Sequence, residues 1–230
     1  MAAFHPDYEE LPVEIPVFPL PGALLLPRAR LPLNIFEPRY LAMTQDALGT
    51  PGRAFGMIQP EPGAARGPTG PGMYRVGCLG RLSSFSETED GRFLITLTGV
   101  TRFRVAEELA MRRGYRRVRA DYAPYRADLD LSAPAAAPLD RKALMAALRP
   151  FFRARGIEVN WESIERTSDE LLVLTLSMVC PFEVPEKQAL LEAESPAARA
   201  EMLIALLQMG AHDTPGVASG GDLPPMRKPS

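Results

Sequence analysis

The chain has 230 residues, enough for one large domain or two small ones. Hydrophobic residues make up 46% and charged residues 23%, proportions of a soluble globular protein rather than a membrane or disordered one. A formal net charge of −2 argues against general binding to nucleic acid or to an anionic membrane, although a local basic patch can hide inside it.

The first residues carry neither a basic region nor an apolar core, so no signal peptide is expected. Val13, Ile15 and Val17 alternate with Glu14 and Pro16 and predict an edge-type strand, because Pro16 has no N–H for a ladder. Pro21-Gly22 then turns the chain into Leu24-Leu25-Leu26, which reads either as another buried strand or as part of an exposed apolar patch. Leu31, Leu33 and Ile35 alternate with Pro32 and Asn34. Phe36 is expected to join the buried side, and Pro38 both ends the strand and opens a helix bearing Tyr40, Met43 and Ala47, closed by Gly49. Glu37 and Arg39 are read as the ion pair that fixes this strand-to-helix corner, in preference to a charged rim of a groove.

A strand at 53–59 leads into a loop at 60–72, dense in Pro and Gly, which lacks the Lys-Ser/Thr ending of a phosphate-binding loop. Three long β segments follow, at 74–88, 92–107 and 115–125, with hairpin turns at Asp90-Gly91 and at Gly114 and a bulge near Gly77 and Gly80. Their length and glycine bends imply a closed or nearly closed, strongly twisted sheet. Residues 127–138 read as a linker, after which the hydrophobic period changes from two to 3.6. Asp140 and Asn160 are expected to cap helices, residues 171–179 to form a central buried helix, and Ser195-Pro196 to open the last one. The organisation expected is therefore a β-rich unit at 11–126, the linker, a helical bundle at 139–211, and a disordered tail at 212–230.

Several segments of this chain, in order, resemble one family: Phe18-Pro19-Leu20, Leu31 through Tyr40, Tyr74 through Gly80, Asp90 through Phe93, Leu97 through Phe103, Pro181-Phe182 and Glu186 through Glu192. They resemble the N-terminal, substrate-binding domain of Lon proteases, and most of all its stand-alone bacterial form. The resemblance implies an α+β fold, a twisted antiparallel β pseudo-barrel of the type associated with RNA-modifying enzymes, followed by a C-terminal helical bundle. It also implies a protein-binding module for unfolded or partner proteins, with a Lon-type protease system as a candidate partner, working without the catalytic engine.

The residue inventory supports no chemistry. No Gly-x-x-x-x-Gly-Lys-Ser/Thr occurs, and the three lysines offer no buried base; Lys187 reads as a surface charge. His5 and His212 lie in terminal segments, and Cys78 and Cys180 sit far apart among apolar neighbours as small core residues. No cofactor and no metal are expected. The apolar run at 171–182 is too short to span a bilayer, so a cytoplasmic protein is expected, and without the ring-forming engine of Lon a monomer. Leu24, Leu25, Leu26, Phe85 and Tyr125 are the candidate protein-binding residues. The alternative is RNA binding through Arg112, Arg113, Arg116, Arg117 and Arg119; strand alternation splits that cluster, placing Arg117 and Arg119 on one face and Arg116 on the other, which makes nucleic acid the weaker reading.

Overall fold

The computed structural model describes residues 6–130 and 139–212. The expected tail, apart from His212, and residues 131–138 of the expected linker lie outside the described residues. The chain order is β1 (Glu14–Pro19), β2 (Arg30–Ile35), α1 (Pro38–Leu48), β3 (Ala54–Ile58), β4 (Arg66–Gly67), β5 (Gly70–Pro71), β6 (Val76–Glu87), β7 (Phe93–Arg112) and β8 (Tyr115–Asp121). A 3-10 turn at Ala123–Leu129 follows. The helices are α2 (Arg141–Ala154), α3 (Trp161–Arg166), α4 (Asp169–Val179), α5 (Val184–Glu192) and α6 (Pro196–His212). Asp140 caps α2 by accepting from the Ala143 N–H, and Asn160 caps α3 by accepting from the Ser163 N–H, as their positions before apolar periods predict.

One sheet runs β2-β7-β6-β3-β1-β8, and β8 pairs again with β7. The twenty-residue β7 makes this closure possible. One edge of it pairs with β6 from Phe93 to Arg104, while the other pairs first with β2 and then, from Arg104 onward, with β8. The barrel is thus mostly antiparallel, with β1 and β3 parallel. A register shift at Leu79/Gly80 supplies the bulge that the glycines predict. Arg113 and Gly114, both with positive φ, make the tight turn between β7 and β8.

Strand β1 is not an edge, contrary to the expectation from Pro16. It lies between β3 and β8. Ala120 donates its N–H to the Val13 carbonyl, so alternation turns the odd-numbered residues of β1 toward β8 and the vacant nitrogen of Pro16 toward β3. Pairing with β3 begins only at Val17, so that nitrogen leaves no ladder bond broken.

Two cores flank the sheet. Inside the barrel, Ile15, Val17, Leu79, Phe103, Val105 and Val118 form one core. A second core joins the sheet's other face to the helices, running from Phe18, Ile35 and Ile95 through Met43 to Leu148, Phe151, Leu176, Leu190 and Leu203. Leu24, Leu25 and Leu26 belong to this second core, all at 2% exposure or less, and they form no strand. A strand would have turned alternate side chains outward; irregular backbone lets all three point inward. Here the chain presses on β7 so closely that a Cβ at Gly99 would stand 2.0 Å from the Leu26 carbonyl oxygen. The expectation that this run could form an exposed patch is therefore corrected.

A second correction concerns Phe36. Ile35 is buried and Phe36 is 62% exposed. The alternation of β2 continues to its last residue, so Phe36 falls on the outward side with Asn34 despite its hydrophobicity. The rest of the corner behaves as expected: Pro38 opens α1, Tyr40 is buried, and Arg39 pairs with Glu37 at 2.8 Å. Helix α4 also departs from its all-round apolar pattern, since Leu171 and Val179 face outward.

Polar side chains bolt the helices to the barrel. The Arg102 guanidinium makes a two-pronged pair with Asp128 and also donates to the Leu191 and Ala193 carbonyls at the end of α5. Gln188 donates to the Val76 carbonyl, and Gln59 donates to the Val184 carbonyl. Lys187, expected on the surface, is buried. Its Nζ donates to the Gly22 carbonyl at 2.7 Å and to the Met178 carbonyl at 3.0 Å, and burial lowers its pKa. It ties the 21–22 turn to an otherwise orphaned carbonyl at the C-terminal end of α4.

Urea midpoints on two neighbouring alanine variants test the corner. Phe36→Ala should cost less than about 1 kcal/mol, whereas Ile35→Ala should cost about 2–5 kcal/mol. Removing one member of a buried pair strands the other, so Arg102→Ala should destabilise by about 3–5 kcal/mol in the same assay. Arg102→Lys should recover little of this, because an ammonium cannot make the two-pronged pair and reach both carbonyls.

Candidate functional site

The arginines of β7 and β8 are brought together in space, but with carboxylates. Arg112 and Arg113 both pair with Asp46 of α1, at 3.3 and 2.6 Å. Arg116 is buried, holds Glu108 with two nitrogens at 2.7 and 2.9 Å, and donates its third to the Pro71 carbonyl. Arg117 pairs with Glu14 at 2.6 Å, and Arg119 pairs with Glu107 at 2.7 Å. The split between Arg116 and the Arg117–Arg119 side is present, since Arg119 also reaches Glu14 on the side opposite Glu108. Each cation of the candidate nucleic-acid segment thus has an anion beside it, and the field that phosphate contacts require is locally cancelled.

Of the remaining candidates, Tyr125 is only partly available. It packs on the helix-facing core, with the Arg102 guanidinium 4.7 Å from its ring centre. Phe85 stays 41% exposed and rests edge-on against the buried Phe93, with ring centres 4.9 Å apart. The register also exposes a residue that hydropathy reading missed. Leu94 lies opposite Asn34 and Ser86 and is 46% exposed, and alternation carries Phe36 to the same outer side of β2-β7-β6. Strict period two along 93–97 was the available signal: Phe93, Ile95 and Leu97 point inward, so Leu94 had to point outward.

A groove of about 710 Å³ opens on another side of the barrel. Four separate segments build it: the 19–21 turn, the start of α1, the 60–71 loop with its β4–β5 hairpin, and the β7–β8 turn. Its walls hold Pro19, Pro21, Pro60, Pro68, Pro71 and Met111, and its polar residues are Arg39, Tyr40, Arg66, Thr69, Tyr115 and Arg116. No carboxylate lines it. Tyr40 is 5% exposed, with its ring 3.9 Å from that of Phe18 and the Arg39 guanidinium 4.5 Å from its centre. Sequence reasoning could not assemble this site, because its parts are spread over nearly a hundred residues and joined only by barrel closure.

No catalytic constellation accompanies these surfaces among the described residues. Cys78 and Cys180 are buried, and burial raises both thiol pKa values, that of Cys180 to about 12. Lys187 bonds carbonyls and no serine. Among the described residues, no group of three or more His, Cys, Asp or Glu side chains could hold a metal, and no helix is long and apolar enough to cross a membrane.

The clearest titrating feature is structural. Burial works to raise the Asp46 pKa, but the Tyr115 hydroxyl at 2.7 Å and Arg113 outweigh it and hold the carboxyl below its usual value. The Tyr115 phenol is pushed up to about 12, by burial first and then by Asp46. A depressed carboxyl contributes stability that is present above the unfolded value and is lost as pH falls through the folded one. Stability of the wild type should therefore fall below about pH 4 more steeply than that of Asp46→Asn, as read from urea midpoints across an acid series.

Relatives carry the same architecture. The solved Lon N-terminal domain protein from Xanthomonas campestris superposes with a TM-score of 0.55 at 22% identity, over 84% of this chain and 97% of that one. The N-terminal domain of the Mycobacterium avium complex Lon protease gives 0.56 at 15% identity, over the same shares. Lon protease 2 of Sorangium cellulosum is 25% identical over 197 residues, and Lon protease 2 of Myxococcus xanthus is 24% identical over 202. These matches take in 84% and 86% of this chain but only 24% of each protease, so the chain spans about a quarter of their length. The family model for the substrate-binding domain of the ATP-dependent protease La (Lon) matches residues 14–209, and the chain belongs to that family.

Proposed function

We propose that this chain is a non-catalytic recognition module that captures extended or unfolded polypeptide segments, or a partner protein, in a Lon-type system in the cytoplasm. The observation that carries the reading is the exposed apolar side chains of the β2-β7-β6 flap: Leu94 on its outer face, Phe36 just past β2, and Phe85 at the rim of the face that holds Phe93 and Ile95. Water-exposed phenylalanine and leucine side chains on a rigid sheet favour apolar chains, and a folded partner hides the groups they would read. Family membership supports the same direction. The paired state of Arg112, Arg113, Arg116, Arg117 and Arg119 weighs against the RNA alternative.

Capture by a single module should be micromolar or weaker, because ordering a flexible chain offsets much of the contact energy. The test is titration of fluorescently labelled, reduced and carboxymethylated lactalbumin, which cannot refold. Phe36→Ser/Leu94→Ser, with its melting temperature checked first, should weaken capture about fivefold or more, with little change between about 50 and 300 mM salt. Equal capture by wild type and double variant would remove this face from the reading. A steep salt slope would return the case to electrostatic binding.

A further inference from the structure

We infer that the groove between α1, the β4–β5 hairpin and the β7–β8 turn is a subsite for an acidic side chain or a terminal carboxylate of an extended polypeptide. This inference rests on the polypeptide-binding reading and adds to it a location and a chemical preference.

Three observations carry it. The first is charge: three arginines and two tyrosines line the groove, and no carboxylate does. Two of the arginines are already engaged, Arg39 with Glu37 and Arg116 with Glu108. Arg66 is exposed at the hairpin, and its guanidinium has no hydrogen bond or ion pair among the described residues. The second is an unanswered donor. Tyr40 is almost wholly buried at the groove, yet its hydroxyl has no hydrogen-bond partner among the described residues. Tyr115, by contrast, gives its hydroxyl to Asp46. A buried phenol without an acceptor is costly, and an incoming carboxylate oxygen relieves that cost.

The third observation is the wall chemistry. Five of the lining residues are prolines, which have no N–H to offer and fixed backbone angles. These positions give a bound chain no N–H donor for strand pairing. They present rigid apolar faces with Met111, so affinity comes from apolar contact and orientation from the few side-chain donors. The volume lies within the range of pockets that enclose small ligands or a short piece of chain. Apolar walls around an unpaired cation and an unpaired phenol match an apolar segment that carries one carboxylate.

The experiment measures fluorescence anisotropy with three short rhodamine-labelled peptides of apolar flanks and a central Glu, Gln or Lys. Wild type should prefer Glu over Gln by about tenfold, the effect of a charge-assisted hydrogen bond. Arg66→Glu, on an exposed hairpin, should abolish the preference. Tyr40→Phe keeps the ring against Phe18 and removes only the hydroxyl, and it should reduce the preference several-fold. Equal binding of the three peptides, or an undiminished Glu preference in both variants, overturns the inference. Tighter binding of an oligouridylate, lost in Arg66→Glu, overturns it in favour of phosphate. Lactalbumin capture measured on the same proteins separates the two levels: capture without Glu preference sinks the subsite alone, whereas loss of both sinks the polypeptide reading with it.

Discussion

The structure depends on how one strand serves three neighbours. Strand β7 gives one edge to β6, but its other edge is shared by β2 and β8, which end and begin at different heights. Between them the ladder is interrupted. The interruption is filled by non-strand groups: Gly99 exchanges hydrogen bonds with Arg28 and Ala29, and the Arg102 N–H donates to the Asp128 carboxylate at 2.9 Å. The same Asp128 takes the Arg102 side chain, whose remaining nitrogen caps carbonyls at the end of α5. One buried ion pair therefore closes the gap in the sheet and docks the helices. Burial works against the Arg102 charge, but Asp128 outweighs it and raises the pKa. Nearby Arg199 lacks such a partner, and burial, with Arg102 beside it, lowers its pKa to about 10.

That arrangement explains where functional surface can exist. Barrel closure gives β1, β3, β6, β7 and β8 strand partners on both sides over at least part of their length, whereas β2 pairs only with β7 and has no strand on its other edge. Beside that edge stand the outer face of the three-stranded flap β2-β7-β6 and the proline-walled groove where four segments converge. The flap offers apolar side chains, and the groove offers cations and an idle phenol.

Much of the fold was legible because it rests on local rules. The strand-to-helix corner at Pro38, the caps Asp140 and Asn160, the β7–β8 turn at Gly114 and the bulge by Gly80 each follow from a residue's own backbone preferences. Errors arose where hydrophobicity and phase disagreed, or where the decisive partner was remote. Phe36 is apolar but out of phase with Ile35, and phase prevailed. Leu24 to Leu26 are in phase with nothing, because a segment pressed onto Gly99 has no period. Lys187 carries a charge but faces carbonyls from two other elements, and Arg117 meets Glu14 across 103 residues of sequence. No local pattern announces such contacts, and the groove residues were hidden for the same reason.

Strand β1 has a consequence for the order in which the molecule can be made. Its partners are β3 and β8, and β8 lies roughly a hundred residues downstream. A ribosome adding about 5–20 residues per second delivers β8 some 5–20 s after β1 has emerged. During that interval the Ile15–Val17 side that later fills the barrel lacks the cover that Val118 supplies, although Leu79 and Phe103 of β6 and β7 arrive earlier. Until β8 arrives and pairs with both β1 and β7, the barrel stays open on one side and this segment of the nascent chain remains partly uncovered.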